Sequence, residues 1–380
     1  MRACVCVCVC VCVREREMKV YPTCNSIFFD LLFLSTLICL LAEEASSDKN
    51  PYPFQPYKPS SSRYVAISYS TWFPNVIHFQ ANGGCTWGMP SLGPYKSNNH
   101  SVIRQHALWL RDANVDFILV DWSNDILYEP VIHSGLQFSD IAYIENSTKD
   151  VFEVFSQIPG APKIAILSGS PANRSEYAPP QRRLKAKADQ IMQWFVNNET
   201  VAHQYFYLDG KPLLVDYIST PAFRLTTKWN DSRFTMRHLT GFVTDQPDIY
   251  RSDPYGNKIS IDGIWSWEDR GESSFPIVNG FPEVQTITAA YRGEPCGWLC
   301  PNERAGRDNG TTFIKKWNYA NKIGPRIVFV QSFNQWAGCN KKPGENMNEN
   351  YSTDIEPEKG GHGDLYLKLL GQEARTFKGL

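Results

Sequence analysis

The chain has 380 residues, with 38 Lys and Arg against 39 Asp and Glu, and a formal net charge of −1. That balance, with no basic run, argues against nucleic acid or an anionic membrane surface as a partner. There is no P-loop, no GxGxxG and no HExxH, and the seven His show no metal-ligand spacing, so neither a metal nor a cofactor is expected.

At the N-terminus, residues 4–13 alternate Cys and Val, and residues 14–17 read Arg-Glu-Arg-Glu. TG and AG dinucleotide tracts encode such repeats, so residues 1–17 are read as a translated leader with Met18 as the start. Alternating Cys with only Val between them lack the spacing of a zinc site. Residues 18–45 are read as a signal peptide. Lys19 supplies the charged start, 27–41 an apolar stretch too short for a membrane span, and Ala42, Ala45 and Ser46 small residues for cleavage. A signal-anchor holding the chain in the Golgi lumen is the alternative to secretion. Residues 46–63, rich in Pro, Ser and Tyr, form an arm, and 64–380 form one folded domain with no membrane partner once the signal is removed.

Two further observations point to export. Sequons of the N-x-[ST] type occur at Asn99, Asn146, Asn173, Asn198, Asn230, Asn309 and Asn350, as in a glycoprotein. Beyond the leader and signal only Cys85, Cys296, Cys300 and Cys339 remain. An even, small number suggests disulfides, and four cysteines allow three pairings.

In chain order, apolar runs at 64–69, 117–122, 163–167, 212–217, 240–244, 263–267, 286–290 and 326–330 read as strands. Helical patterns fall at 102–113, 151–157, 184–197, 311–322 and from 364 onwards. This alternation predicts an α/β fold with a parallel sheet, and the length suits a single (β/α)8 TIM barrel. The first and eighth strands of a closed barrel are neighbours, so Cys85 is expected to pair with Cys339, and Cys296 with Cys300.

A barrel carries its site where its strands end. Here those ends hold Tyr69 and Trp72, Asp121 and Trp122, Asp216, Trp267 and Glu268, and Asn334, Gln335 and Trp336. Rings beside carboxylates and amides fit a glycan or polysaccharide, because rings form a platform while carboxylates hold hydroxyls or act as acid and base. Tyr69, Trp72, Trp122, Asp216, Trp267, Asn334, Gln335 and Trp336 are therefore the expected substrate contacts. Large aromatics also fill cores, which is the better account for most of the eleven Trp.

The stretch 326–370 joins a buried strand, a polar-aromatic tip, a loop with Asp354 and Glu356, and a closing helix. It resembles the C-terminal signature of glycoside hydrolase family 99 and its family 71-like relatives: S-[YF]-N-E-W-x-E-G, then I-E-P, then G-x-x-Y-L. Ser332, Phe333, Asn334, Trp336, Ile355, Glu356, Pro357, Gly363, Tyr366 and Leu367 match. The resemblance implies a (β/α)8 barrel acting on glycans. In the family, two glutamates and the substrate's own 2-hydroxyl cleave internal α-mannosidic bonds. Gln335 stands at the first glutamate position and Gly338 at the second. An amide cannot take up a proton at neutral pH, and glycine has no side chain.

Replacement acid and base groups are sought in Asp121, Glu268, Asp354 and Glu356, with Glu345 and Glu349 behind them. The expected function is a secreted glycoside hydrolase with a non-standard acid/base pair. The alternative is an inactive barrel that serves as a glycan-binding or extracellular-matrix protein.

Overall fold

The computed structural model describes residues 63–74, 88–123, 138–170, 180–218, 229–244, 246–269, 273–291, 304–336 and 349–380. Its strands are β1 (Tyr64–Tyr69), β2 (Phe117–Trp122), β3 (Lys163–Ser170), β4 (Tyr207–Leu208), β5 (Lys211–Ile218), β6 (Thr235–Thr240), β7 (Tyr250–Ser252), β8 (Lys258–Ser260), β9 (Trp265–Ser266), β10 (Ser274–Val278), β11 (Phe281–Pro282), β12 (Val284–Thr288) and β13 (Ile327–Gln331). Eight of them form a parallel sheet in the order β12, β13, β1, β2, β3, β5, β6, β9, with β4 hairpinned onto β5. Thr286 Oγ1 on β12 donates to the carbonyl of Ser266 on β9, so the two ends of the sheet approach and the barrel is nearly closed. This is the (β/α)8 TIM barrel that the alternation of elements predicted.

Pleating sorts the residues into two layers. Ala66, Phe117, Leu119, Leu167, Val215, Leu239, Trp267 and Phe329 fill the barrel interior. Their alternating neighbours Val65, Ile67, Ile118, Val120, Ile166, Val328 and Val330 face outward against the helices. Both faces are apolar, which is why these strands read as continuous rather than alternating runs.

The described helices are α1 (His100–Asp112), α2 (Phe138–Ser156), α3 (Pro180–Ile191), α4 (Thr311–Ile323) and α5 (Leu365–Lys378). In α1, the side chain of Asn99 caps the N-terminus by accepting from the Ser101 and Val102 amides. Ile103, His106, Ala107 and Leu110 then recur at helical spacing on its buried face. α5 buries Tyr366, Leu370, Ala374 and Phe377 and ends at Gly379, whose φ of 72° gives the left-handed C-terminal stop.

The fifth barrel strand differs from expectation. Residues 240–244 were the apolar run, yet β6 occupies Thr235–Thr240 and pairs Thr235 to Leu239 with Leu213 to Tyr217. Its sequence TMRHLT is polar because this stretch is half-buried, so hydrophobicity alone pointed past it. Phe242 and Val243 are buried in the turn beyond. Between β6 and β12 the described chain forms a small sheet, ordered β11, β10, β8, β7, where a regular barrel would place helices. Among the described residues no helix is long and apolar enough to cross a membrane.

Candidate functional site

After β13 the chain turns through Ser332, Phe333, Asn334, Gln335 and Trp336, and two acidic side chains hold this tip from below. Asp354 accepts from the Gln335 and Trp336 amides at 2.5 and 3.0 Å, and from the Ser332 hydroxyl at 2.9 Å. Glu356 accepts from His106 Nε2 at 3.0 Å through one oxygen, and from Tyr95 Oη at 2.8 Å and the Trp336 indole N–H through the other. Both carboxylates are 0% exposed. His106 reaches Tyr69 Oη at 2.9 Å with its second ring nitrogen. Burial, reinforced by the Glu356 charge, raises the Tyr69 and Tyr95 hydroxyls well above the usual tyrosine range. Asn334 ties the tip to the end of β1, accepting from the Ser70 amide at 2.8 Å and donating to its carbonyl at 3.1 Å.

At the barrel mouth the pleat turns a different set inward. Asp121 continues the inner face of Phe117 and Leu119 on β2, and Tyr217 continues that of Leu213 and Val215 on β5. Asp121 accepts from the Ser123 amide at 2.8 Å. Burial raises its carboxyl above the usual aspartate range, and burial, reinforced by the Asp121 charge, pushes the Tyr217 hydroxyl up to about 12. Trp267 packs tilted against Phe329 at 5.9 Å. Gln331 donates through Nε2 to Gln335 Oε1 at 3.1 Å, so the Gln335 amide sits over the inner face of β13. Gly169 ends the inner face of β3. A Cβ there would lie 2.1 Å from the Ser123 carbonyl, so glycine permits the close approach of the two strand ends beside Asp121.

Glu268 follows the inward Trp267, and its charge acts on Lys316 of α4. Lys316 donates to the Asp269 carbonyl at 3.2 Å and to Ser273 Oγ at 3.3 Å, and burial lowers it to about 8. Asp269 accepts from the Ser266 hydroxyl and from both the amide and the hydroxyl of Ser274, while burial raises its carboxyl.

The remaining expected contacts fall on other surfaces. Tyr69, Trp122 and Asp216 face the helix layer: Trp122 donates its indole N–H to Thr148 Oγ1 at 2.8 Å, and Asp216 lies 3.6 Å from His238. Trp72 is half-buried against the outer core and the Phe73, Tyr95 and Trp336 cluster. Cys85, Cys296, Cys300, Cys339, Gly338, Glu345 and Asn173 lie outside the described residues. The other sequon asparagines, Asn99, Asn146, Asn198, Asn230, Asn309 and Asn350, are all exposed.

Three features escaped sequence reading. His106 is a polar residue at a core position of α1, and that misfit was its available signal. Arg307 donates to the carbonyls of Ser352 and Asp354 and to Ser352 Oγ, bracing the acidic loop. His100, Asp150 and Glu153 bring one possible metal-ligand atom each within 4.8 Å of one another on the outer helix surface.

No protein-family model matches the chain, and no curated protein is similar to it in sequence. Among solved structures it is similar to the GH99 endo-α-mannosidase of Bacteroides thetaiotaomicron in complex with bis-tris-propane. That match has a TM-score of 0.54 at 18% identity and covers 84% of this chain and 98% of that one. A second structure of the GH99 endo-α-mannosidase from the same organism gives a TM-score of 0.53 at 16% identity, covering 84% and 99%. The chain thus carries the glycoside hydrolase-like barrel fold seen in family 99.

Proposed function

We propose that this protein is a secreted glycan-binding barrel whose hydrolytic pair has been replaced. The observation that carries the reading is the sequestration of Asp354 and Glu356, each 0% exposed with both carboxylate oxygens hydrogen-bonded. Glycoside hydrolysis by the usual route needs two carboxyl groups flanking an open scissile bond. Of the four candidates, Asp121 is the carboxylate that the pleat of β2 places on the inner face, above Leu119. Gln335 and Gly338 supply neither acid nor base. What remains at the mouth is Asp121, Tyr217, Trp267, Gln331 and Gln335, a set of rings, hydroxyl and amides suited to holding a sugar. Export is supported by the sequons, since all six described asparagines are exposed to modification.

A hydrolase is the second reading, and the raised carboxyl of Asp121 favours it, because a proton donor needs a pKa above the usual carboxylate range. The two readings separate on a panel of α-mannan, plain galactan, sulfated galactan and N-glycans, with binding by calorimetry and release of reducing ends measured in parallel. Binding without product supports the glycan-binding barrel. Product that disappears in Asp121→Asn establishes the hydrolase. Neither binding nor product sinks both. Expression through a secretory pathway should give a protein whose mass falls on enzymatic deglycosylation, and an unchanged mass would remove the export reading.

A further inference from the structure

Ser68, Thr288 and Gln331 stand at one level on the inner faces of three adjacent strands. Thr288 is in register with Gln331, and Ile67 with Val330, so Ser68 comes level with Gln331 across β1 and β13. Each extends an inward series: Ala66 precedes Ser68, Val284 lies on the face of Thr288, and Phe329 precedes Gln331. The three are 2%, 0% and 1% exposed. Ser68 Oγ, Thr288 Oγ1 and Gln331 Oε1 have no hydrogen-bond partner among the described residues. Buried polar atoms are rarely left unpaired, and three on neighbouring strands about 4.8 Å apart are not independent accidents.

Their chemistry is complementary to hydroxyls. Ser68 and Thr288 can each donate and accept, while Gln331 has committed Nε2 to Gln335 and keeps its oxygen as an acceptor. Gln335, with its oxygen occupied, keeps its amide N–H2 as a donor just above them. Among the described inward residues, the charge at this level is that of Asp121. Asp121 sits one inward position above Leu119, which is in register with Ser68. Arg237, a cation of inward parity on β6, is held by Glu283 through bonds of 2.7 and 2.5 Å at the opposite end of the strands. An anionic sugar would meet a carboxylate here and no free guanidinium among the described inward residues.

We propose that Ser68, Thr288 and Gln331 form the floor of the glycan site and bind the hydroxyls of a neutral sugar residue, so that the protein selects uncharged over sulfated glycans. This rests on the glycan-binding reading above and names its floor and its charge preference. The test uses Ser68→Ala and Thr288→Val, which remove one hydroxyl each at nearly constant volume, with calorimetry against plain and sulfated galactan and α-mannan oligosaccharides. Each variant is expected to melt at or above the wild-type temperature, because an unpaired buried hydroxyl is lost. Each should also bind the neutral glycan about 5- to 10-fold more weakly. The wild type should prefer plain over sulfated galactan.

Unchanged affinity in both variants overturns the proposal. So does a lowered melting temperature with unchanged affinity, which identifies the three groups as the cage of a structural water. Equal wild-type affinity for plain and sulfated galactan overturns the charge preference. A wild type that binds nothing on the panel is a different failure, that of the glycan reading itself, and the floor falls with it.

Discussion

His106 on α1 and Glu356, 250 residues later, meet at 3.0 Å with both side chains wholly buried. With its proton on Nε2, His106 donates to Glu356 and accepts from Tyr69 Oη at Nδ1, a chain that runs from β1 through α1 to the tip after β13. Glu356 is thereby a structural keystone of the tip, the shared acceptor of His106, Tyr95 and Trp336. Glu356→Ala would strand the donors of His106, Tyr95 and Trp336, and should destabilise the protein by about 3–5 kcal/mol. Glu356→Gln retains one acceptor, and its amide can donate to the other His106 tautomer, so about 1–2 kcal/mol is expected. Urea denaturation measures both. A fully stable Glu356→Ala would refute the keystone role.

Asp354 carries a similar load on the other side of the tip, accepting two backbone amides and two hydroxyls. Asp354→Ala should cost about 2–4 kcal/mol, since backbone N–H groups inside the protein have no other acceptor. Hydrogen exchange at the Gln335 and Trp336 amides should accelerate in the same variant. Unaltered exchange there would mean that the tip is held by other bonds.

Asp121 is expected to trade stability for function. Burial raises its carboxyl above the unfolded value, so its contribution is fully present below the unfolded pKa and is lost as pH rises through the folded pKa. Asp121→Asn can still accept from the Ser123 amide and should be more stable than the wild type at pH 7, by about 1 kcal/mol. That advantage should vanish under acid conditions where both forms are neutral. Melting curves across pH 3 to 8 test it, and a variant less stable than wild type at pH 7 contradicts it.

Lys316 has the opposite sign. Its folded pKa of about 8 lies below the ordinary 10.5, so burial of its charge penalises the fold below that pH. Relative to Lys316→Met, the wild type should gain stability as pH rises from about 8 towards 10.5. Parallel stability curves for the two proteins across that window would show that Lys316 does not titrate there.

The sequence by itself determined the barrel. Strands buried on both faces need unbroken apolar runs, and those runs, with amphipathic segments between them, place seven of the eight strands within a few residues of their positions. β6 was displaced because its half-exposed residues carry no such burial signal. Nor could the sequence assign the carboxylates. Asp121 and Glu268 stand at strand ends, Asp354 and Glu356 lie in the loop beyond the last strand, and nothing local separates a group facing the mouth from one facing the helices. Pleat parity and long-range packing decide that. Asp121 turns inward because Leu119 does, while Glu356 is drawn beneath the tip by His106, Tyr95 and Trp336, partners far away along the chain. A buried carboxylate takes whichever site supplies its donors, and only the closed barrel brings those donors together.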